Sequence, residues 1–443
     1  MKKILKICLG ISIIVVSVLL VDNILTYILI DNSEDEVRYA IEYLYEQENI
    51  ETLFLGSSHV LFGYDPRILD EKLGENTYLA TTPVQKIDGS YYLLKEVLKK
   101  NNIKKVYLDM YYRQYRDIPE ERSDIQMEYI YCITDNMQNN WNRVEFLLNA
   151  SGPERYLDGF FVPRRYGNYL LDLQRFERVI KSKRSDRYAN GEEPDNFYKG
   201  TTIVPGIAGN PKMVEMIAPY NLARIEDNII SEYSLKYLNK MVDLCKKEGI
   251  ELVLTTTPFS YFHLAGMGDY TVYYSYMKEY ARQHDIDYYD FNLCKNDVLP
   301  LTDESFIDIH HLSGKGAVEY SEVFADIMAN YSKQGREAFF YDTVEEKLAD
   351  MPEQTFGIVY EPVDEKWREY EVKAVGNYPI EAEYRIVLLD EEGNEQELIQ
   401  DFSKNNLITV TEGKTNSYKV TVLEKKTGRI CEEEIINFQG NTD

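Results

Sequence analysis

At 443 residues the chain is too long for one ordinary hydrophobic core, so two or more domains are expected. An apolar share of 44% is that of a globular protein and excludes general disorder. A net charge of −26 excludes broad affinity for nucleic acid, whose phosphates it repels, so no nucleic-acid partner is expected.

The first predicted element is a membrane anchor. Lys2, Lys3 and Lys6 precede an apolar run, and Ile7 to Ile30 is long enough to cross a hydrocarbon layer of ~30 Å. No small-x-small cleavage site follows, and Leu5-Lys6-Ile7 before Cys8 does not make a lipoprotein signal. Residues 1–31 therefore read as a signal anchor, with Asp22 and Asn23 near its outer end. The lysines hold the N-terminus inside, so a single-pass cell-membrane protein with its bulk extracytoplasmic is expected.

Residues 33–50 pattern as an amphipathic helix with Val37, Ile41 and Leu44 on one face. Short apolar runs then predict strands at Thr52–Leu55, Thr77–Ala80, Lys105–Asp109, Glu251–Thr256 and Asp287–Phe291. Between them lie helical patterns. Asp88 is expected to cap a helix carrying Leu94, Val97 and Leu98. Leu235, Leu238, Val242 and Cys245 make a stripe that stops at Gly249, and Tyr273, Tyr276, Met277 and Tyr280 make another. Strands separated by helices imply parallel pairing, so residues 32–340 are expected to form an α/β three-layer sandwich around a central parallel sheet.

Residues 111–230 break the alternation and read as an insertion. They carry a basic patch of Arg175, Arg178, Lys181, Lys183, Arg184 and Arg187. Such a patch meets an anionic polymer or lipid headgroups, or is one solvated helix face. After a linker at Tyr341–Gln354, two-residue alternation (Tyr370/Val372/Ala374, Tyr418/Val420/Val422) predicts a small all-β sandwich over 355–443.

Two compositional features run through the whole chain. Thirty-eight tyrosines suit sugar-like or interfacial partners, or fill half-exposed core positions. Five cysteines (Cys8, Cys132, Cys245, Cys294, Cys431) show no metal spacing and no disulfide framework.

The chemistry concentrates in two stretches. In "ETLFLGSSHVLFGYDP" the first strand breaks at Gly56, so Ser58 follows its C-terminal end, where open α/β sheets gather ligands. Pro66 at a first helical position, with Asp65 as cap, starts the next helix. In "ESFIDIHHLSGKGAVEYSEVFADIM", Asp308 and His311 are spaced D-x-x-H before a helix capped by Ser313, with Tyr320, Phe324 and Ile327 on its buried face. A serine attacks an acyl carbonyl when a base takes its proton and a third group holds the base. Ser58, His311 and Asp308 supply those three roles. His59 is too close to Ser58 in sequence to turn its ring back as base, and caps the turn or contacts substrate. His310 reads as a neighbour of the triad, and His263 and His284 as bystanders. Asp308, His310 and His311 are not read as metal ligands, because adjacent histidines on an extended loop diverge. No metal or cofactor is expected.

"FLGSSH" and "DIHHLSGKGA" together resemble the first and last blocks of SGNH/GDSL-type hydrolases, in the membrane-anchored branch of DltD and the alginate O-acetylation proteins. The resemblance covers about residues 50–112 and 225–332. It implies an SGNH, flavodoxin-like sheet and gives Ser58, Asp308 and His311 the triad roles, with Ser57 replacing an aspartate. The middle blocks depart from the family. Ala80 and Thr81 stand where an oxyanion glycine is frequent, and Asp109 is nearest to a missing asparagine. Losing such a donor lowers rate by roughly 10²–10³. The resemblance implies a serine acyltransferase or esterase acting on a cell-envelope polysaccharide or teichoic-acid-like polymer, beside a membrane-bound O-acyltransferase. The alternative is a catalytically inactive polymer-binding or scaffold protein of the same system.

Overall fold

A computed structural model describes residues 2–30, 36–137, 140–184, 196–215, 229–363, 368–410 and 416–438. Arg187 of the basic patch, residues 33–35 of the second predicted helix and Trp367 lie outside them. The first helix, α1 (Lys2–Leu29), holds the apolar stretch Leu9–Leu29, none of whose most apolar window is buried in the fold. Its 28 residues extend about 42 Å, enough to cross a bilayer. Asn23 turns its amide back onto the Leu19 carbonyl at 2.7 Å, which satisfies one polar group inside the helix.

The predicted strands form a five-stranded parallel sheet, ordered β2-β1-β3-β4-β5. The strands are β1 (Thr52–Gly56), β2 (Thr77–Thr81), β3 (Lys105–Asp109), β4 (Glu251–Thr256) and β5 (Asp287–Asp290). Every residue of β1 and β2 is buried, which is why these strands read as unbroken apolar runs rather than alternating ones. The chain steps outward from β1 to β2 and returns across β1 to β3, so β1/β3 is a topological switch point. Phe291 leaves β5 and starts a 3₁₀ turn.

The chain divides into two compact units: Met1–Leu61, Leu69–Val204 and Ile230–Val253 form the first, and Phe62–Ile68, Pro205–Ile229 and Leu254–Asp443 the second. In the first, α2 (Glu36–Glu46) docks on β2 through Tyr78, whose hydroxyl donates to the Ala40 carbonyl at 2.9 Å. Its buried face carries Arg38 as well as Ile41 and Leu44, while Val37 is only half-buried. Arg38 can be buried because Asp135 receives it at 3.1 Å. The helices α3 (Ser58–Gly63) and α4 (Pro66–Leu73) each have residues in both units, and α5 (Ile87–Val97), in the first, follows β2. Asp88 does not cap α5. Lys86 occupies the cap position, and the Asp88 carboxylate turns inward to Arg122 at 2.9 Å, with Tyr233 donating to it at 2.8 Å. A buried guanidinium outcompetes a solvent-facing helix end for this carboxylate.

The insertion is helical: α6 (Asp124–Asn136), α7 (Trp141–Asn149), α8 (Tyr156–Phe160), α9 (Val162–Arg165) and α10 (Leu173–Lys183). It is fastened by Arg122, which also pairs with Asp117 and donates to the Ala150 carbonyl at 2.9 Å. Asp135 links Arg38 of α2 to Arg165 of α9, the latter at 2.6 Å.

In the second unit the long helix that follows the D-x-x-H loop, Gly314–Gln334, is capped by Ser313, whose hydroxyl accepts from Gly316 N–H at 3.2 Å. Tyr320, Phe324 and Ile327 are buried along it. The remaining strands, β6 (Thr355–Pro362), β7 (Glu369–Gly376), β8 (Ala382–Leu389), β9 (Glu395–Ser403), β10 (Leu407–Thr409), β11 (Asn416–Glu424) and β12 (Arg429–Phe438), make two antiparallel sheets, β10-β7-β6 and β12-β11-β8-β9. Val372, Ile386, Val420 and Phe438 belong to one core shared by both sheets.

Tyrosine turns out to be a core residue. Tyr64, Tyr78, Tyr92, Tyr112, Tyr115, Tyr237, Tyr270, Tyr273 and Tyr320 are fully buried rather than half-exposed. They are tolerated there because their hydroxyls find partners, as Tyr64 and Tyr320 do in each other at 2.9 Å. Cys132, Cys245 and Cys294 are buried thiols outside any disulfide.

Candidate active site

The sequence stretch that singles out Ser58 folds as a strand running straight into a helix. Gly56 ends β1, the Ser57 carbonyl accepts from Val60 N–H at 3.0 Å and Leu61 N–H at 3.1 Å, and Ser58 begins α3. Ser58 is half-buried and Ser57 buried. Glycine is required at 56: a Cβ there would lie 2.5 Å from Val60 Cγ2 and 2.8 Å from the Asp109 Cβ. That close approach brings the ends of β1 and β3 together at the switch point. Across it, the His59 ring stacks on Tyr111, centroids 3.7 Å apart. His59 is therefore a packed member of the β1/β3 junction.

Asp109 is buried at the end of β3, accepting from Tyr111 N–H at 3.2 Å while its carbonyl accepts from the Tyr115 hydroxyl at 3.0 Å. On the other side of β1, Gly56 pairs with Thr81. Ala80 is fully buried and its carbonyl accepts from Gln85 Nε2 at 3.1 Å. Ser57 Oγ, Thr81 Oγ1, Thr82 Oγ1 and Gln85 Oε1 are each buried with no hydrogen-bond partner among the described residues. A buried orphan of this kind costs about 1–3 kcal/mol. The same loop holds Val84 at φ +50°, a left-handed conformation that disfavours a β-branched residue. Burial pulls the Lys86 ammonium down to about 8, with Arg122 and Arg113 acting the same way against Asp117 and Asp88. Buried hydroxyls without partners, backbone strain at Val84 and a desolvated Lys86 thus coincide in the β2–α5 loop and at the start of α5. Sequence reasoning reached Thr81 but missed Ser57's orphan hydroxyl, Thr82, Gln85 and Lys86; the doubled threonine before Pro83 was the available signal.

In the second unit, the D-x-x-H loop pairs a carboxylate with an imidazole. His311 Nδ1 lies 2.7 Å from Asp308 Oδ2, while Asp308 Oδ1 accepts the backbone N–H groups of His310 at 2.9 Å and His311 at 2.8 Å. Burial opposes the Asp308 charge, yet the His311 hydrogen bond, the neighbouring His310 and His311 and the backbone donors outweigh it and hold the carboxyl well below its usual range. The two adjacent histidines do not diverge. Their centroids are 4.1 Å apart and both rings turn toward Asp308, His310 Nδ1 at 3.6 Å. The loop is held by Ser260, whose N–H and hydroxyl both donate to the Ile309 carbonyl, at 3.2 and 2.7 Å. Ser260 follows the C-terminal end of β4. The His311 ring meets Phe62 edge-on at 5.6 Å. His263 is fully buried beside His310 at 5.7 Å, and His284 packs on Tyr280 at 4.3 Å.

Comparison with known proteins adds little. An uncharacterised family matches residues 220–333, a segment that includes Asp308 and His311 but not Ser58. No curated protein matches the chain. Among solved structures, a trimodular GH5_4 subfamily endoglucanase aligns at 9% identity over 91% of this chain and 92% of that one, with a TM-score of 0.18. At that score the likeness carries nothing about fold or function.

Proposed function

We propose that this chain is an extracytoplasmic serine esterase or O-acyltransferase of the SGNH/GDSL type. It is held to the cell membrane by α1 and acts on acyl groups of an envelope polysaccharide or teichoic-acid-like polymer, beside a membrane-bound O-acyltransferase. The observation that carries the reading is the 2.7 Å contact between His311 Nδ1 and an Asp308 carboxylate kept ionised by its surroundings. That pairing favours the tautomer with the proton on Nδ1, in which Nε2 is the proton acceptor. The strand order 2-1-3-4-5 is the flavodoxin-like one, which supports the three-layer SGNH arrangement and a ligand at the β1/β3 switch point. Ser58 stands there.

In the reaction, His311 Nε2 takes the Ser58 hydroxyl proton as Oγ bonds to the acyl carbon. The Ser58 N–H and the β2–α5 loop hydroxyls donate to the developing oxyanion. The imidazolium, stabilised by Asp308, returns the proton to the leaving alkoxide. A sugar hydroxyl or water then repeats the sequence on the acyl-serine, giving transfer or hydrolysis.

A second reading, an inactive polymer-binding scaffold, is favoured by Asp109, which supplies a carboxylate rather than an amide donor and turns it onto Tyr111 N–H. Incubation with a short-chain aryl ester separates the two. The enzyme reading expects an acyl adduct on Ser58 by mass spectrometry, discharged faster by added oligosaccharide if the protein is a transferase. The scaffold reading expects no adduct at all.

A further inference from the structure

The insertion brings a basic surface with an apolar tip to the end of the membrane-length helix. Helices α9 and α10 belong to the same compact unit as α1 and pack against it. Arg175 Nη2 donates to the Leu29 carbonyl at 2.9 Å. Lys183 Nζ donates to the Tyr27 carbonyl at 2.7 Å and stands 4.5 Å from the centre of the Tyr27 ring. Carbonyls in the last turn of a helix lack intrahelical partners and carry the negative end of its dipole, so two α10 cations complete the C-terminal end of α1. The insertion is thereby tied to the level at which the apolar stretch Leu9–Leu29 ends.

The exposed side chains at this place are of two kinds. Tyr169, Leu170, Leu171 and Leu173 form a knuckle just before and into α10, with Leu171 93% and Leu173 76% exposed; its one charge, the exposed Asp172, accepts from the Arg175 N–H at 2.9 Å at the start of α10, and Leu157 and Phe161 are exposed nearby in the chain. Residues 173–184 then carry Arg175, Arg178, Lys181, Lys183 and Arg184 against a single acidic residue, Glu177, in a chain whose net charge is −26. An apolar tip bordered by cations is the composition of a segment lying in a membrane interface.

We propose that residues 157–184 form a second, monotopic membrane contact. The Tyr169–Leu173 knuckle enters the acyl boundary beside α1, and the cations of α10 meet anionic phospholipid headgroups. The continuity with α1 names the occupant, because a chain anchored by α1 has a bilayer at this level. An anionic envelope polymer would satisfy the cations but leave the leucines in water. The proposal rests on α1 spanning the bilayer, and its role would be to hold the first unit at a fixed height and orientation over the membrane.

The test uses the full-length protein with Cys8 and Cys431 replaced by serine, reconstituted in phosphatidylcholine vesicles with or without phosphatidylglycerol. An environment-sensitive NBD label is placed through Leu171→Cys or Val16→Cys, with iodide on both sides of the membrane. The expected result is at least threefold shielding of the label at 171 relative to free dye, with quenching by shallow doxyl lipids. Omitting phosphatidylglycerol, or introducing Arg178→Glu with Lys181→Glu, should more than halve the shielding. A label at 171 as open as free dye, with the label at 16 shielded, overturns the proposal and leaves the anchor standing. Both labels open overturns the anchor and the proposal together. Shielding indifferent to lipid charge and to charge reversal overturns the headgroup assignment.

Discussion

Asp308 is asked to hold His311 and to stabilise its charged form, and its surroundings already favour the carboxylate. Because its folded value is depressed, the stability it contributes is complete above an unfolded carboxylate's ~3.9 and is lost as pH falls through the folded value. Any loss of activity between pH 5 and 8 therefore belongs to another group. Asp308→Asn keeps an oxygen for the two backbone donors but presents an amide to His311. It is expected to slow acylation of Ser58 by roughly 10²–10⁴, measured as a single-turnover rate on protein shown by circular dichroism to be folded. Lys86 behaves in the opposite sense. Its folded value of about 8 lies below the ~10.4 of an unfolded lysine, so over that window the unfolded chain binds more protons and folding is favoured as pH rises. Lys86→Met is expected to remove this rise, narrowing its stability gain over wild type by roughly 2–3 kcal/mol between pH 8 and 10.5, as read from denaturant midpoints.

At the scale of elements, β1, β3 and the turn into α3 set the site, and Gly56 sets their spacing. Gly56→Ala forces Val60 and the Asp109 backbone to move, which is expected to destabilise the protein by about 1–3 kcal/mol and to lower the melting temperature. A mutant that melts like wild type would show that β1 and β3 do not approach so closely. These strands were legible in the sequence because each has a short, buried apolar centre (Leu53–Leu55, Val106–Leu108) closed by a polar turn. The Ser313 cap and the left-handed Gly249 were legible for a similar reason, being decided by their nearest neighbours. Asp88 was misread because a partner 34 residues away, Arg122, takes its carboxylate. Arg38 was missed on the buried face of α2 because Asp135 lies 97 residues away. Local pattern cannot report a distant counter-charge. The same limit hid the β2–α5 loop, whose strain at Val84 and orphaned hydroxyls exist only once β1 and β2 are paired.

The whole molecule joins a membrane-length helix, a five-stranded α/β fold with a strand-end serine, a preformed His–Asp pair and a double β-sheet domain. The central claim is that Ser58 is an activated nucleophile driven by His311. The direct measurement treats the full-length membrane protein with a fluorophosphonate probe and maps the adduct by mass spectrometry, beside Ser58→Ala and His311→Ala. The predicted result is labelling confined to Ser58, absent in Ser58→Ala and lowered at least a hundredfold in His311→Ala. No adduct on the folded wild-type protein, or labelling of Ser58 that survives loss of His311, would contradict it.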